Sequence, residues 1–172
     1  MRMKRITDRG RLKRWRYALE EPYAYYSDLN NRVEQLEHTV LLNWVYVWLI
    51  KRLKPWERLH SFSYEDDYGV LRTDAFAAVK NTVTGEFRFC FVEMDRTTSN
   101  RFDKVRLYND LYESEGYAES WWVSLTRRYP PIIIATTNTR RKRKIEEAVQ
   151  SDNRNGLEFQ VYLVDALRQE VV

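Results

Sequence analysis

Acidic side chains mark the end of one strongly apolar segment of the sequence. Glu93 and Asp95 are two positions apart at the end of the run that begins at Glu86. Because side chains alternate along a strand with a period of two, both carboxylates are predicted to point to one face of a sheet. Asp74 lies in the preceding extended segment. A hairpin between the two segments would bring it to the same edge, in a register that the sequence permits without fixing.

Three convergent carboxylates repel one another, so such a cluster needs a divalent cation, a protonated member or a nearby cationic side chain. Mg²⁺ or Mn²⁺ suits the oxygen ligands of Asp74 and Glu93, and a bound ion could activate a water and stabilise charge on a phosphate. Lys104 is the candidate cation, and it shares a predicted helix face with Tyr108 by its i,i+4 spacing. The alternative is a set of solvated strand-end acids that pair with arginines, namely Arg72, Arg96 and Arg101.

The segments that must position these residues show the apolar spacing of helices and of strands. A polar cap signal at Asn31 and apolar residues at three- and four-residue spacing predict a helix over about 31–53, before Pro55. Further helices are predicted over about 100–115 and 138–150. Strands are predicted at 57–64, 70–80, 86–93, 132–136 and 157–165. The order α-β-β-β-α-β-α-β is an α/β fold whose antiparallel hairpins precede crossover units.

Composition restricts the class of protein. The chain of 172 residues is 44% hydrophobic with only five glycines, which suits one packed domain and excludes a disordered or collagen-like chain. The apolar stretch Leu41–Ile50 is shorter than the roughly 20 residues of a membrane-spanning helix, and no signal-peptide pattern follows the basic N-terminus. We therefore expect a cytoplasmic protein without membrane contact. Cys90 is the only cysteine, so neither an intrachain disulfide nor a structural zinc site is expected.

Positive charge is concentrated in two segments. Residues 1–16 hold eight Lys or Arg against one acid, a net charge of +7, whereas the whole chain carries +4. The second segment, residues 140–144, is a run of five consecutive cations. Clustered cations predict contact with DNA phosphates, with solvated surface as the alternative. The DNA-binding candidates are Arg11, Lys13, Arg14, Arg16, Arg140, Arg141, Lys142, Arg143 and Lys144.

Aromatic and histidine residues add weaker signals. We interpret His38 as a structural histidine of the first helix, with a ligand or a base as the alternative, and His60 as a strand residue without a role. Trp121 and Trp122 follow a polar loop and are interpreted as a hydrophobic plug, with stacking on bases or covering of a partner surface as the alternatives.

Several of these motifs together resemble a known family. The matching residues are Leu71-Arg72-Thr73-Asp74, Phe91-Val92-Glu93-Met94-Asp95-Arg96-Thr97-Thr98, Lys104 and Tyr108, preceded by His38. Over about residues 35–136 the chain resembles the C-terminal domain of the replication-relaxation family of plasmid and mobile-element proteins.

The resemblance implies a restriction-endonuclease-like fold. The family's domain is similar to the PD-(D/E)xK nuclease core, an α-β-β-β-α-β unit with a mixed central sheet flanked by helices, here with an extra α-β. Residues 31–172 would form this nuclease-like domain. Residues 1–30 would be a basic arm or linker, a candidate remnant of the winged-helix region that family members commonly carry.

The resemblance also implies roles for the site residues. Asp74 and Glu93 match the first and second acids, which would hold Mg²⁺ or Mn²⁺. Two positions depart from the family pattern: Thr73 replaces a proline, and Asp95 occupies the position of the usual catalytic lysine. Because lysine can migrate to the following helix in relatives of this fold, Lys104 would join Asp74, Glu93 and Asp95 as a catalytic candidate, with Tyr108 as a site aromatic.

Three functional hypotheses follow from the residues and from the resemblance. The first is a DNA-associated accessory protein of plasmid or mobile-element replication, relaxation or conjugation, which binds DNA, a relaxase or a replication initiator through a nuclease-like fold without catalysis and without a cofactor. The second is an active Mg²⁺-dependent DNA endonuclease or nickase that uses Asp74 and Glu93. The third is a protein-only interaction domain. The sequence favours the first, because the lysine is displaced.

Overall fold

The fold alternates helices and strands around one sheet. The structure is a computed structural model, and it describes residues 33–96 and 102–171. The helices are α1 (Val33–Lys51), α2 (Lys104–Glu113), α3 (Thr139–Asp152) and α4 (Val164–Val171), with a short 3₁₀ helix at Val123–Leu125. The strands are β1 (Glu57–Tyr64), β2 (Ala75–Asn81), β3 (Phe87–Asp95), β4 (Ile132–Thr136) and β5 (Phe159–Leu163).

The five strands form a single mixed sheet in the order β1-β2-β3-β4-β5. Strands β1, β2 and β3 pair antiparallel as a meander, and β3, β4 and β5 pair parallel through the crossover helices α2 and α3. The predicted α/β class is confirmed, as is a mixed sheet flanked by helices. Among the described residues, no helix is long and apolar enough to span a membrane.

Alternation along the strands divides the apolar residues between two cores. On one face, α1 and α4 pack over Ala75, Ala77, Val92 and other strand residues. On the other face, α2 and α3 pack over residues such as Phe76, Phe89 and Phe91. Both faces of β3 are therefore covered, which explains why its sequence is almost continuously apolar.

The largest differences from the sequence predictions concern β2, α2 and α4. Strand β2 begins at Ala75 instead of residue 70, because the turn continues past Gly69: the Tyr68 N–H donates to the Leu71 carbonyl and the Thr73 N–H donates to the Asp66 carbonyl. Helix α2 begins at Lys104 instead of near residue 100. Helix α4 was not predicted, since it follows β5 without an intervening loop.

The two adjacent tryptophans take different positions. Trp122 is buried among the aromatic residues of the second core, which confirms the plug interpretation for this residue. Trp121 is 51% exposed, so the plug interpretation is wrong for it.

Candidate active site

The β2–β3 register brings two of the predicted acids together. Ala75 pairs with Val92 in the antiparallel ladder, so Asp74 and Glu93 occupy the next positions along the two strands. The Met94 backbone N–H donates a hydrogen bond of 2.7 Å to Asp74 Oδ2, which ties the carboxylate to the end of β3. The structure thus determines the register that the sequence leaves open.

Glu93 is the buried member of this pair, with 2% of its side chain exposed. The Tyr108 hydroxyl donates a hydrogen bond of 2.7 Å to Glu93 Oε1. Lys104 Nζ lies 2.8 Å from Glu93 Oε2 and also donates to the Arg72 backbone carbonyl at 2.6 Å. Lys104 and Tyr108 therefore meet one carboxylate from adjacent turns of α2, as their i,i+4 spacing predicts.

The surroundings of Glu93 favour its neutral form. Burial, followed by the negative charge of Asp74, raises the pKa of Glu93 from 4.5 to about 8, against the opposing effects of Lys104 and Tyr108. Burial also raises the pKa of the Tyr108 hydroxyl well above its usual value, so the hydroxyl stays protonated and remains a hydrogen-bond donor. One member of the acidic cluster can thus hold a proton when no cation is bound.

Asp74 is the accessible member, with 24% of its side chain exposed. His38 Nε2, on α1, lies 3.4 Å from Asp74 Oδ1. Burial by itself would raise the pKa of Asp74, but His38, the Met94 N–H and Lys104 together lower it below its usual value. His38, which the sequence analysis interprets as structural, therefore lies at the acidic site.

Asp95 belongs to a different pair. It shares a face of β3 with Glu93, as predicted, but its carboxylate accepts two hydrogen bonds from the Arg141 guanidinium, at 2.7 and 3.1 Å. Arg141 is almost fully buried and its guanidinium lies over the Phe102 ring. Asp95 is thus part of a buried ion pair that joins β3 to α3.

The second basic segment is only partly available to a ligand. Arg140, Arg143 and Lys144 are exposed, and Lys142 lies 3.6 Å from Glu146. Arg141 is removed from this surface by its pairing with Asp95, which corrects the prediction that all five cations contact DNA. The other DNA-binding candidates, Arg11, Lys13, Arg14 and Arg16, lie outside the described residues.

The donor set at Asp74 and Glu93 is compatible with Mg²⁺ or Mn²⁺. Within residues 33–96 and 102–171, no group of three or more His, Cys, Asp or Glu side chains converges to hold a metal ion. Two carboxylates are nevertheless a usual protein contribution to a Mg²⁺ site, because this ion keeps several waters. Asp74 Oδ1 and Glu93 Oε2 would be the ligands, and Lys104 would have to release Oε2.

Sequence signals exist for two features that the sequence predictions do not include, the burial of Arg141 and the position of His38. Ile145 is buried, and Arg141 lies four positions before it on the same face of α3, so helical spacing alone separates Arg141 from its exposed neighbours. His38 lies on the same helix as the core residues Leu42 and Val45, at three- to four-residue spacing, which directs it toward the sheet.

Comparison with known proteins adds no family assignment. A scan of protein-family models finds no match to this chain, and a search of curated proteins finds no significant match.

Proposed function

We propose that this protein is a DNA-associated nuclease-like protein whose site at the end of β3 is a metal-dependent DNA phosphodiesterase. The observation that carries this proposal is the convergence of a paired Asp74 and Glu93 with Lys104 at one sheet edge. Carboxylates that hold a divalent cation beside a lysine are a recurrent arrangement for phosphate chemistry. The restriction-endonuclease-like core is part of the same proposal, supported by the helix and strand order and by the mixed sheet.

A bound Mg²⁺ or Mn²⁺ would lower the pKa of an attacking water and stabilise the charge that develops on the phosphate. The residues of the chain have separate tasks. Tyr108 fixes the orientation of the Glu93 carboxylate through its hydrogen bond to Oε1. The Met94 N–H and His38 hold Asp74 in its ionised form, ready to act as a ligand.

Lys104 has the remaining task. It is 28% exposed, so its ammonium can leave Glu93 and pair with a phosphate oxygen of the substrate. In this arrangement Lys104 stands in for the lysine that Asp95 replaces. The buried Asp95–Arg141 pair then contributes to the position of α3 and takes no part in the reaction.

A second candidate function is an accessory module that binds DNA, a relaxase or a replication initiator without catalysis. The observation that favours it is the internal charge balance of the site. Lys104 and Tyr108 both meet Glu93, whose raised pKa also allows it to remain neutral. Such a network needs no metal ion to be stable. In either case we propose a role in replication or relaxation of a plasmid or mobile element, with DNA as the partner.

Incubation with supercoiled plasmid tests the proposal. With Mg²⁺ or Mn²⁺ the protein should nick the plasmid, and excess chelator should stop the reaction. Asp74→Asn and Glu93→Gln should each reduce nicking at least about 100-fold, since each removes a charged ligand at the reacting centre. Glu147→Gln changes an exposed glutamate on α3 and is the matched control.

Metal binding provides a readout besides activity. Calorimetric titration with Mn²⁺ should give binding that Asp74→Asn abolishes and Glu147→Gln preserves. Absence of both nicking and Mn²⁺ binding, in a folded protein that still shifts DNA, would favour the accessory module and contradict the enzyme.

A further inference from the structure

A second group of side chains lies on the same sheet face as Glu93, at the other end of β3. We call it the ring platform, and it consists of the rings of His60, Phe87 and Trp121 with the cations Arg58 and Lys80. Phe87 is six residues before Glu93 along β3, a separation of about 20 Å in a strand. The platform is therefore distinct from the acidic site but shares its side of the sheet.

The rings of the platform contact one another and are held from behind. His60 lies 5.1 Å from Phe87 and 5.9 Å from Trp121, measured between ring centroids. Phe87 stacks on Phe89 at 5.7 Å with an interplanar angle of 3°, and the Trp121 ring packs edge-on against Phe89 at 5.6 Å. Because Phe89 is buried, an exposed tryptophan and an exposed histidine rest on a fixed aromatic base.

An irregularity in β1 positions the histidine. Leu59 pairs with Val79, whereas Ser61 pairs with Ala78, so His60 is the extra residue of a bulge. A bulge re-aims the side chain of the extra residue. His60 here faces the Phe87 and Trp121 rings on the α2 side of the sheet, while the next apolar residue, Phe62, packs on the α1 side.

The two cations stand beside the rings without acidic partners. Arg58 pairs with Lys80 across β1 and β2, and Lys80 pairs with Phe87 across β2 and β3. Lys80 Nζ lies 5.4 Å from the Phe87 ring centroid. Within the residues that the structure describes, neither cation forms an ion pair. The nearest strand acid, Glu57, instead pairs with Arg88, which follows Phe87 and so belongs to the opposite face of β3.

We propose that the ring platform binds single-stranded nucleic acid. Exposed rings on a rigid base offer stacking surfaces for unpaired bases, and the unpaired cations beside them fit the phosphates of the same strand. A duplex hides its base faces, so it cannot use the rings. Continuation of this strand to the acidic site, on the same face of the sheet, would rest on the proposed function, whereas the binding itself does not.

Fluorescence anisotropy with a labelled oligothymidylate of about 20 nucleotides tests the proposal, since single-strand sites commonly cover about 4–16 nucleotides. All titrations are made in chelator, so that catalysis does not contribute. Trp121→Ala should weaken binding about 5- to 100-fold, and Trp121→Phe should restore most of it because the ring remains. Tyr46→Ala, which removes an exposed ring on the α1 side, is the matched control and should leave the affinity unchanged.

The cations are tested by salt dependence. Lys80→Ala and Arg58→Ala should each reduce the slope of log K against log salt by about 0.7, the value for one phosphate contact on a single strand. Duplex DNA of the same length should bind with an affinity that Trp121→Ala does not change.

Several outcomes would overturn the proposal. Equal oligonucleotide binding by the wild-type protein and Trp121→Ala would do so. If Trp121→Ala instead dissociated a homodimer and left oligonucleotide binding unchanged, the platform would be a contact between two copies of the chain. The two proposals fail separately: Glu93-dependent nicking, together with oligonucleotide binding that does not depend on Trp121, contradicts the platform alone. Trp121-dependent binding without nicking contradicts the enzyme alone.

Discussion

At the scale of single residues, the centre of the site is a carboxyl group in an environment that favours its neutral form. Glu93 is buried next to Asp74, and the cation and hydroxyl that meet it only partly compensate. Burial of an ionisable group couples its protonation to folding. The consequences can be measured in the metal-free protein, independently of any reaction.

The stability of the metal-free protein should fall as pH rises between about 5 and 8, because the folded-state pKa of Glu93, about 8, lies above its ordinary value of 4.5. In this window the unfolded chain releases the proton and the folded chain retains it. Glu93→Gln, which has no such proton, should gain stability relative to the wild type across the same window. Urea unfolding in chelator at a series of pH values measures this difference.

Asp74 provides the contrast for that experiment. Its pKa is lowered in the folded protein, so its contribution is present above the usual value of 3.8 and is lost only as pH falls through the folded-state pKa. Asp74→Asn should therefore keep a slope between pH 5 and 8 that comes from the burial of Glu93, but a smaller one, because it removes the negative charge that helps to raise the pKa of Glu93. A wild-type slope equal to that of Glu93→Gln would contradict the raised pKa.

Removal of the Tyr108 hydroxyl should destabilise the fold by about 1–3 kcal/mol, since Glu93 Oε1 would lose its donor in a buried position. Tyr108→Phe keeps the ring and its contact with Phe91, so the change isolates the hydrogen bond. Thermal and urea unfolding measure the loss. Tyr112→Phe alters a partly exposed tyrosine of the same helix and should change stability by less than about 0.5 kcal/mol.

At the scale of elements, the start of α3 is held by two side chains that are three positions apart in the sequence. Asn138 caps the helix by accepting hydrogen bonds from the Arg140 and Arg141 N–H groups. One turn later, the Arg141 side chain pairs with Asp95 at the end of β3. The start of α3 is therefore fixed at the edge of the sheet that carries Glu93.

Arg141→Met should destabilise the protein by about 3–5 kcal/mol, because it leaves the Asp95 carboxylate buried without its cation. The double variant Asp95→Leu/Arg141→Met removes both charges and should recover most of that loss. Chemical denaturation of Arg141→Met, Asp95→Leu and the double variant completes the cycle. If the single and double variants were equally unstable, the pair would not act as a unit.

The helices and strands also show how much of the fold can be predicted from the sequence. Strands β1, β3 and β4 and helices α1 and α3 follow from alternation, apolar density, Pro55 and the Asn138 cap. These are local signals. Helix α4 is missed because Val164 follows β5 directly, so the alternation of the strand hides the three- and four-residue spacing of Val164, Leu167 and Val171.

At the scale of the whole molecule, the site depends on contacts that are far apart in sequence. Spacing alone indicates that Glu93 and Asp95 share a face and that Lys104 and Tyr108 share another. It cannot indicate that Asp95 takes Arg141 while Glu93 takes Lys104, because that choice depends on how α2 and α3 cross the sheet. The position of His38 likewise depends on the packing of α1 beside β2.

The same long-range arrangement places positive charge at the acidic edge of the molecule. Because Arg141 anchors the first turn of α3 to β3, the exposed Arg143 and Lys144 follow within the next turn of the helix. Under the proposed function, these exposed cations of α3 would hold a DNA phosphate backbone. Binding of this kind is independent of sequence and depends steeply on salt.

Arg143→Gln/Lys144→Gln should weaken duplex DNA binding to a similar extent for unrelated sequences. It should also reduce the slope of log K against log salt by about 1.8, the value for two phosphate contacts on duplex DNA. Lys51→Gln/Lys54→Gln removes two cations at the end of α1 and is the charge-matched control, for which no change of slope is expected. Mobility shifts or anisotropy at several salt concentrations measure both variants. An equal reduction of slope in the two variants would mean that net charge alone attracts DNA, and the first turns of α3 would lose their assigned role as a phosphate-binding surface.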